Sequence, residues 1–426
     1  MRKIIPALLL IMLVLTGCAS KKDATLSQLY YDKIYGMLKE KDFFTARDTF
    51  KAYESKIASP YNLILQANLD NVFNKLESSN QKIDLIFKEY SNSVPDKIKL
   101  ELLEIEQANY GRLFEYQKAS DVLEIMMEKY LQLMDKEIAD DHMNTQLIWD
   151  ALSGQPKQEV IVTEHTSVKM VRDKAQLTNL KVEQGNTAID FIFDTGANFS
   201  TVTQTTAQKL NMKIFDATIE VGAITGLSVK SQLAICPEFT IGGIVVKNAV
   251  FLVFPDEALA FPEADYHING IIGYPVIEAL KEIQITRQDE FIVPKKPTDH
   301  ALRNMALDFL NPVIDINGEY YTFDSGAVGT SLYKKYIDKY HDSIVGIYEE
   351  KDLELGGAGG MLIKKGYSVV FSPVIGDRKL EIKDVDAYTE KIDEKENSFY
   401  GNIGQDVIKQ FEKTTLNFEY MYIKFD

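Results

Sequence analysis

Two stretches of this chain end an apolar run in aspartate and follow it with a small hydroxylated residue and glycine. They are Phe191-Ile192-Phe193-Asp194-Thr195-Gly196-Ala197 and Tyr321-Thr322-Phe323-Asp324-Ser325-Gly326-Ala327. A carboxylate held in such a loop can take a proton from water or give one to a leaving group. Two carboxylates on one water can divide those tasks, because like charges that close cannot both ionise and one proton is shared. Hydrolysis without metal, Ser or Cys needs this pair of functions. Thr195 and Ser325 add hydroxyls. Gly196 and Gly326 permit a tight turn that brings backbone N–H groups toward the carboxylates. Neither loop holds both carboxylates, so the chemistry is complete only if the two are brought together.

The surroundings of the loops repeat as well. Gly273, in Gly270-Ile271-Ile272-Gly273-Tyr274-Pro275, lies 79 residues after Asp194. Gly404, in Gly401-Asn402-Ile403-Gly404-Gln405-Asp406, lies 80 residues after Asp324. Between these landmarks the flanks of Gly226 and Ile241-Gly242 align with those of Gly360 and Ile375-Gly376 at a constant offset of 134. Four landmarks in one order, twice, indicate a duplicated unit. Short runs rich in Val, Ile, Phe and Thr alternate with Gly-containing turns, which predicts mostly β structure. The break Val293-Pro294-Lys295-Lys296-Pro297-Thr298-Asp299 divides it into halves at 160–295 and 300–426.

The pattern resembles the aspartic peptidases of the pepsin/retropepsin superfamily over about residues 165–426. In that family each lobe gives one Asp-Thr/Ser-Gly loop and one hydrophobic-hydrophobic-Gly segment that supports it. The stretches Asp194-Thr-Gly-Ala-Asn-Phe-Ser-Thr-Val and Gly404-Gln-Asp-Val-Ile, with Thr415-Leu416-Asn417-Phe418 behind, look retropepsin-like. The resemblance implies Asp194 and Asp324 as the catalytic pair, with the Thr195 and Ser325 hydroxyls bracing the loops across the lobes. It implies hairpin flaps at Val221–Val229, with Gly222 and Gly226, and at Leu355–Leu362, with Gly357 and Gly360. Flap closure would exclude water and order a peptide or protein substrate. The first flap has no Tyr, which points to the retropepsin type. Asn402 stands in a slot normally apolar and is expected to weaken the second support segment. Ala327-Val328-Gly329 stands where a polar residue often helps hold the carboxylate. The implied activity is aspartic endopeptidase, with no metal or cofactor. The alternative is a catalytically inactive, membrane-anchored binding protein that keeps the fold.

Residues 24–150 have a different texture, with only Pro60, Pro95, Gly36 and Gly111 as breakers and apolar residues at helical spacing. The pairs Ala46/Phe50, Ile83/Phe87 and Ala119/Leu123 recur at intervals of 37 and 36, with Tyr35-Gly36 and Tyr110-Gly111 upstream of the first and third. This resembles degenerate tetratricopeptide-like helical hairpins and offers either a protein-partner surface or a plain bundle. The Gly/Pro-containing stretch 151–160 reads as a linker. The expected fold class is therefore α+β: an all-α helical domain over 18–150, then a mostly β, two-lobed part over 160–426 with its own core.

Met1-Arg2-Lys3 followed by the apolar run Ile4–Leu15 matches a signal peptide and is too short to span a bilayer. Leu15-Thr16-Gly17-Cys18 resembles a bacterial lipobox. It implies removal of 1–17 as a lipoprotein signal peptide, a lipid such as palmitate on Cys18, and a bacterial cell-envelope location held by that anchor. A net charge of −16, without a basic run past residue 40, argues against a nucleic-acid partner. The five His residues form no metal-ligand spacing. Cys236, in Leu233-Ala234-Ile235-Cys236-Pro237, is expected to be a buried structural thiol.

Overall fold

The computed structural model describes residues 24–222, 228–262, 265–357, 360–391 and 398–426. The signal segment 1–17, the lipidation candidate Cys18 and the flap candidate Gly226 lie outside the described residues. The chain forms two compact units that divide between Asn109 and Tyr110.

Seven helices open the chain: α1 at 24–39, α2 at Phe43–Tyr53, α3 at Tyr61–Val72, α4 at Leu76–Glu89, α5 at Asp96–Arg112, α6 at Tyr116–Tyr130 and α7 at Lys136–Leu152. The loose sequence repeat has a local structural cause. The turns that end α1, α3 and α5 each pass through one left-handed residue, Lys41, Asn74 and Phe114, with φ of 59°, 59° and 56°. Each turn is closed by the same backbone bond: Asp42 N–H to Met37 C=O, Lys75 N–H to Asp70 C=O and Glu115 N–H to Tyr110 C=O. The recurring Ala46, Ile83 and Ala119 are fully buried on α2, α4 and α6. Inside the first unit the buried Asn109 donates to Asn80 Oδ1 at 2.7 Å and accepts from Asn71 Nδ2 at 2.8 Å. These bonds give the buried Asn109 amide a partner for its donor and for its acceptor.

The boundary between the two compact units falls within α5, between Asn109 and Tyr110, while the composition changes at 151–160. Residues from Tyr110 onward belong with the β lobes, because their side chains are built into those lobes. Gly111 lies under the Trp149 ring, where a Cβ would come within 2.8 Å of ring carbons. Arg112 pairs with Glu278, and Asn144 bonds the backbone of Glu220. Even the linker is used: Glu159–Val162 is a strand paired with Ile244–Phe254.

Among the described residues three large sheets and two two-stranded ribbons make up the β part. In the first lobe Thr187–Phe193 runs parallel to Gly270–Ile272, which also pairs antiparallel with Ser200–Thr203. In the second lobe Glu319–Phe323 runs parallel to Gly401–Ile403, which pairs antiparallel with Ser331–Leu332. The duplication seen in the landmarks is thus a duplication of topology. A five-stranded sheet joins the lobes, because Glu282–Thr286 from the first pairs antiparallel with Lys413–Asn417 from the second. A single apolar cluster runs from Met170 to Ile423 through both halves, so they share one core. Cys236 is fully buried within it, and burial pushes its thiol up to about 12.

Both flap candidates are hairpin stems. Lys213–Gly222 pairs with Ser228–Ile241 up to the rung Gly222/Ser228, and Glu350–Gly357 pairs with Gly360–Phe371 up to Gly357/Gly360. Their tips, 223–227 and 358–359, lie outside the described residues.

Candidate active site

Each aspartate sits on the residue after an apolar strand. Phe193 and Phe323, just before them, are buried, and burying an aromatic of this kind contributes roughly 1.5–3 kcal/mol. That burial ends each strand at a fixed point. The Asp194 N–H then donates to Ile272 C=O at 3.1 Å, and the Asp324 N–H to Ile403 C=O at 3.0 Å. The hydrophobic-hydrophobic-Gly segments therefore hold the catalytic candidates directly through the backbone.

The two loops are locked across the lobes. Thr195 Oγ1 accepts the N–H of Ser325 at 2.9 Å and donates to Phe323 C=O at 3.2 Å. Ser325 Oγ accepts the N–H of Thr195 at 3.0 Å and donates to Phe193 C=O at 3.0 Å. Both residues are almost wholly buried, at 0% and 1% exposure. Four bonds among groups shut away from water are worth more than the same bonds at a surface, since none of the partners has a solvent alternative.

The carboxylates face each other over the glycines. A Cβ on Gly196 would come within 2.8 Å of the Asp324 carboxyl, and one on Gly326 within 2.3 Å of the Asp194 carboxyl. Only glycine lets each loop approach the opposite aspartate so closely. The Gly196 N–H donates to Asp194 Oδ1 at 2.8 Å, and the Gly326 N–H to Asp324 Oδ1 at 2.7 Å. Asp194 Oδ1 accepts a second backbone bond, from Ala197 at 3.1 Å, whereas the Ala327 N–H turns to the Asp324 carbonyl instead. Burial and the neighbouring Asp324 hold the Asp194 carboxyl well above the usual carboxylate range, against the pull of the Gly196 and Ala197 N–H groups. A neighbouring carboxylate and burial both favour the protonated form of the Asp194 carboxyl.

The expected weakness at Asn402 is absent. Its Oδ1 accepts from Thr322 Oγ1 at 2.7 Å, on the neighbouring parallel strand. The first lobe has the apolar pair Ile192 and Ile271 at the same rung. The second lobe has polar residues at both positions, and the pair satisfies itself. Nor does the first loop use a polar residue where the second has Val328: Asn198 is exposed, as Val328 is.

Several supporting residues went unread in the sequence. Ser200 Oγ accepts the Gly273 N–H at 3.0 Å, and Thr330 Oγ1 accepts the Gly404 N–H at 3.1 Å. Each follows its aspartate by six residues, a repeat of a hydroxylated residue that could have disclosed them. Thr330 is itself held by Asp406, at 2.7 Å to its hydroxyl. Gln405 donates to Ser325 C=O at 2.8 Å and accepts from Arg172 at 2.6 Å, tying the second loop to a first-lobe arginine. Arg172 is fixed in turn by Asp289. Among the described residues no group of three or more His, Cys, Asp or Glu is arranged to hold a metal.

A family model described as "Aspartyl protease" matches residues 179–276, the segment that contains Asp194 and Gly273. Among solved structures, a retropepsin-like aspartic protease from Rickettsia conorii is similar at 23% identity, over 33% of this chain and 95% of that one, with a TM-score of 0.21. No curated protein matched the chain. The family match spans the first Asp-Thr-Gly loop and the glycine segment that supports it, Asp194 to Gly273.

Proposed function

We propose, proceeding from the aspartyl-protease character of residues 179–276, that this chain is an aspartic endopeptidase whose two aspartates come from the two lobes of one polypeptide. The observation that carries the reading is the mutual approach of the loops, Gly196 against Asp324 and Gly326 against Asp194, braced by Thr195 and Ser325. In the resting state the pair holds one proton. The ionised carboxylate takes a proton from a water placed between them as that water attacks the peptide carbonyl. The protonated carboxyl donates to the carbonyl oxygen, giving a neutral tetrahedral diol. Collapse breaks the C–N bond, the nitrogen takes a proton, and the pair returns to its singly protonated state. The N–H groups of Gly196, Ala197 and Gly326 hold each carboxylate in the plane of its loop throughout. The hairpins ending at Gly222/Ser228 and Gly357/Gly360 would close over an extended peptide and exclude bulk water.

Cys18, in its lipobox-like setting, is read as the site of a lipid anchor at the bacterial cell envelope, with substrates met there. The helical part expected over 18–150 is read as offering a surface for a protein partner.

The test is cleavage of a mixed peptide library from acid to neutral pH, with and without a pepstatin-type transition-state inhibitor. Cleavage that disappears in Asp194→Asn supports the reading. A folded wild-type chain that binds peptides and cleaves none across that range would make it a binding protein that keeps the fold.

A further inference from the structure

The strand Lys213–Gly222 forms one edge of the first-lobe sheet and one arm of the hairpin assigned as a flap. Its outward N–H and C=O groups have no neighbouring strand to pair with, and an unpaired edge is free to twist or to recruit another chain. At Glu220 the edge is closed by a side chain. Asn144 Nδ2 donates to Glu220 C=O at 2.8 Å, and Asn144 Oδ1 accepts the Glu220 N–H at 2.9 Å. One carboxamide thus does at one residue what a whole strand would do. Asn suits this task because it offers one donor and one acceptor side by side.

Its position along the hairpin gives the contact leverage. Glu220 pairs with Lys230, two rungs below the last described rung, Gly222/Ser228. Below it the register of the hairpin shifts between Ile214 and Thr218, an irregularity that interrupts the ladder and provides a place to bend. The hold therefore falls between the bend and the tip. Asn144 lies on α7, and α7 is fixed by Trp149, which is buried at 8% exposure and stacked on Tyr116. In the second lobe the corresponding edge strand Glu350–Gly357 receives no such two-bond contact among the described residues.

We infer that Asn144 is a positioning residue that pins the first-lobe hairpin at Glu220, so that α7 sets where this hairpin stands while the second-lobe hairpin is left free to move. The helical segment then takes part in the working of the site without touching it. This rests on the reading of the hairpins as covers over Asp194 and Asp324.

The experiment compares amide hydrogen exchange in the full chain for wild type, Asn144→Ala, Asn144→Asp and the control Met143→Ala, an exposed neighbour on the same helix. In Asn144→Ala the Glu220 amide and its neighbours in 213–241 should exchange about tenfold faster, as expected for the loss of two hydrogen bonds. Asn144→Asp keeps the acceptor for the Glu220 N–H and loses the donor, so its effect should be smaller. The 350–371 hairpin should be unchanged in all variants, and Met143→Ala should match wild type. With a cleavable peptide, Asn144→Ala should raise KM several-fold and leave kcat nearly unchanged, since a loosened cover must be ordered again on each binding event. Equal exchange at Glu220 in Asn144→Ala and wild type overturns the inference. So does an acceleration that appears equally in both hairpins, which would mean general loosening. Exchange needs no turnover, so an enzyme that fails the peptidase test still reports on Asn144, and a failed clamp leaves the peptidase test standing.

Discussion

Thr195 and Ser325 each accept the other's backbone N–H and each donate to the carbonyl that precedes the other's aspartate. The two halves of the site are therefore not two supports that happen to meet. Each loop's geometry is completed by the other's hydroxyl, so the same four bonds fix how near the aspartates stand.

Removing one hydroxyl should cost more than one bond. Thr195→Val keeps the shape and strands the Ser325 N–H and the Phe323 carbonyl in a buried site. Each stranded group costs roughly 1–3 kcal/mol, so the melting temperature should fall by several degrees. Ser325→Ala should do the same. The double variant should lose less than the sum, because the two residues share one network. Strict additivity would show that the brace acts as two separate bonds.

The carboxylates should behave as one functional group. Asp194→Asn, Asp324→Asn and the double variant should all show the same background cleavage rate while remaining folded, as groups that act as a unit are not additive. Substantial cleavage by Asp324→Asn would assign the second lobe a structural role and point to a dimer that pairs two copies of Asp194.

Acid should stabilise the dyad and alkali should strain it. The Asp194 carboxyl is raised above its ordinary value of 3.8 by burial and by Asp324, so the folded state holds a proton that the unfolded chain releases. The stability from this proton is fully present below the ordinary value and is lost as pH rises through the raised one. Peptide cleavage should fall over the same rise. Melting temperatures of wild type and Asp194→Asn, measured from about pH 4 to about pH 8, should diverge in favour of the variant as pH increases. Parallel curves would refute the shared proton.

Arg112 should be indispensable to the β part although it lies outside it in sequence. Its guanidinium reaches Glu278 with only 7% and 14% of the two side chains exposed. Arg112→Ala leaves the Glu278 carboxylate without its cation, a loss of about 3–5 kcal/mol for a buried pair. A fragment beginning at residue 160 lacks Arg112, Asn144 and Trp149 and should be poorly soluble or molten by near-ultraviolet circular dichroism. One beginning before Tyr110 should fold. A well-folded 160–426 fragment would show that the helical segment is dispensable.

The anchor is tested at one atom. Cys18→Ala should abolish incorporation of a labelled fatty acid and leave residues 1–17 uncleaved or release the chain from the membrane. Full processing with unchanged membrane retention would count against a lipid at this cysteine.

What the sequence disclosed about the site was what is local or repeated. Asp194-Thr195-Gly196 and Asp324-Ser325-Gly326 announce themselves because an apolar strand, a turn and a carboxylate occupy seven adjacent residues, twice. The hydroxyls Ser200 and Thr330 were legible in principle by the same repeat. The unit boundary was not. It depends on Arg112 meeting Glu278 across 166 residues and on Asn144 meeting Glu220 across 76. No periodicity or composition marks such a meeting, while the Gly and Pro of 151–160 mark a turn whether or not a core ends there. Asn402 was misjudged for a related reason: a polar residue in an apolar slot looks like a defect until its partner Thr322 is seen beside it.

The pairing of Thr322 with Asn402, opposite Ile192 with Ile271, also says what a fused chain permits. In a symmetric assembly of identical lobes every substitution arrives on both sides of the centre at once, and a change tolerable on one side must be tolerable on the other. Here the sides are encoded separately. One side has an apolar rung and the other a hydrogen-bonded one, and the loops above both still meet. The covalent join lets matching positions of the two halves carry unlike residues, each satisfied by its own neighbour.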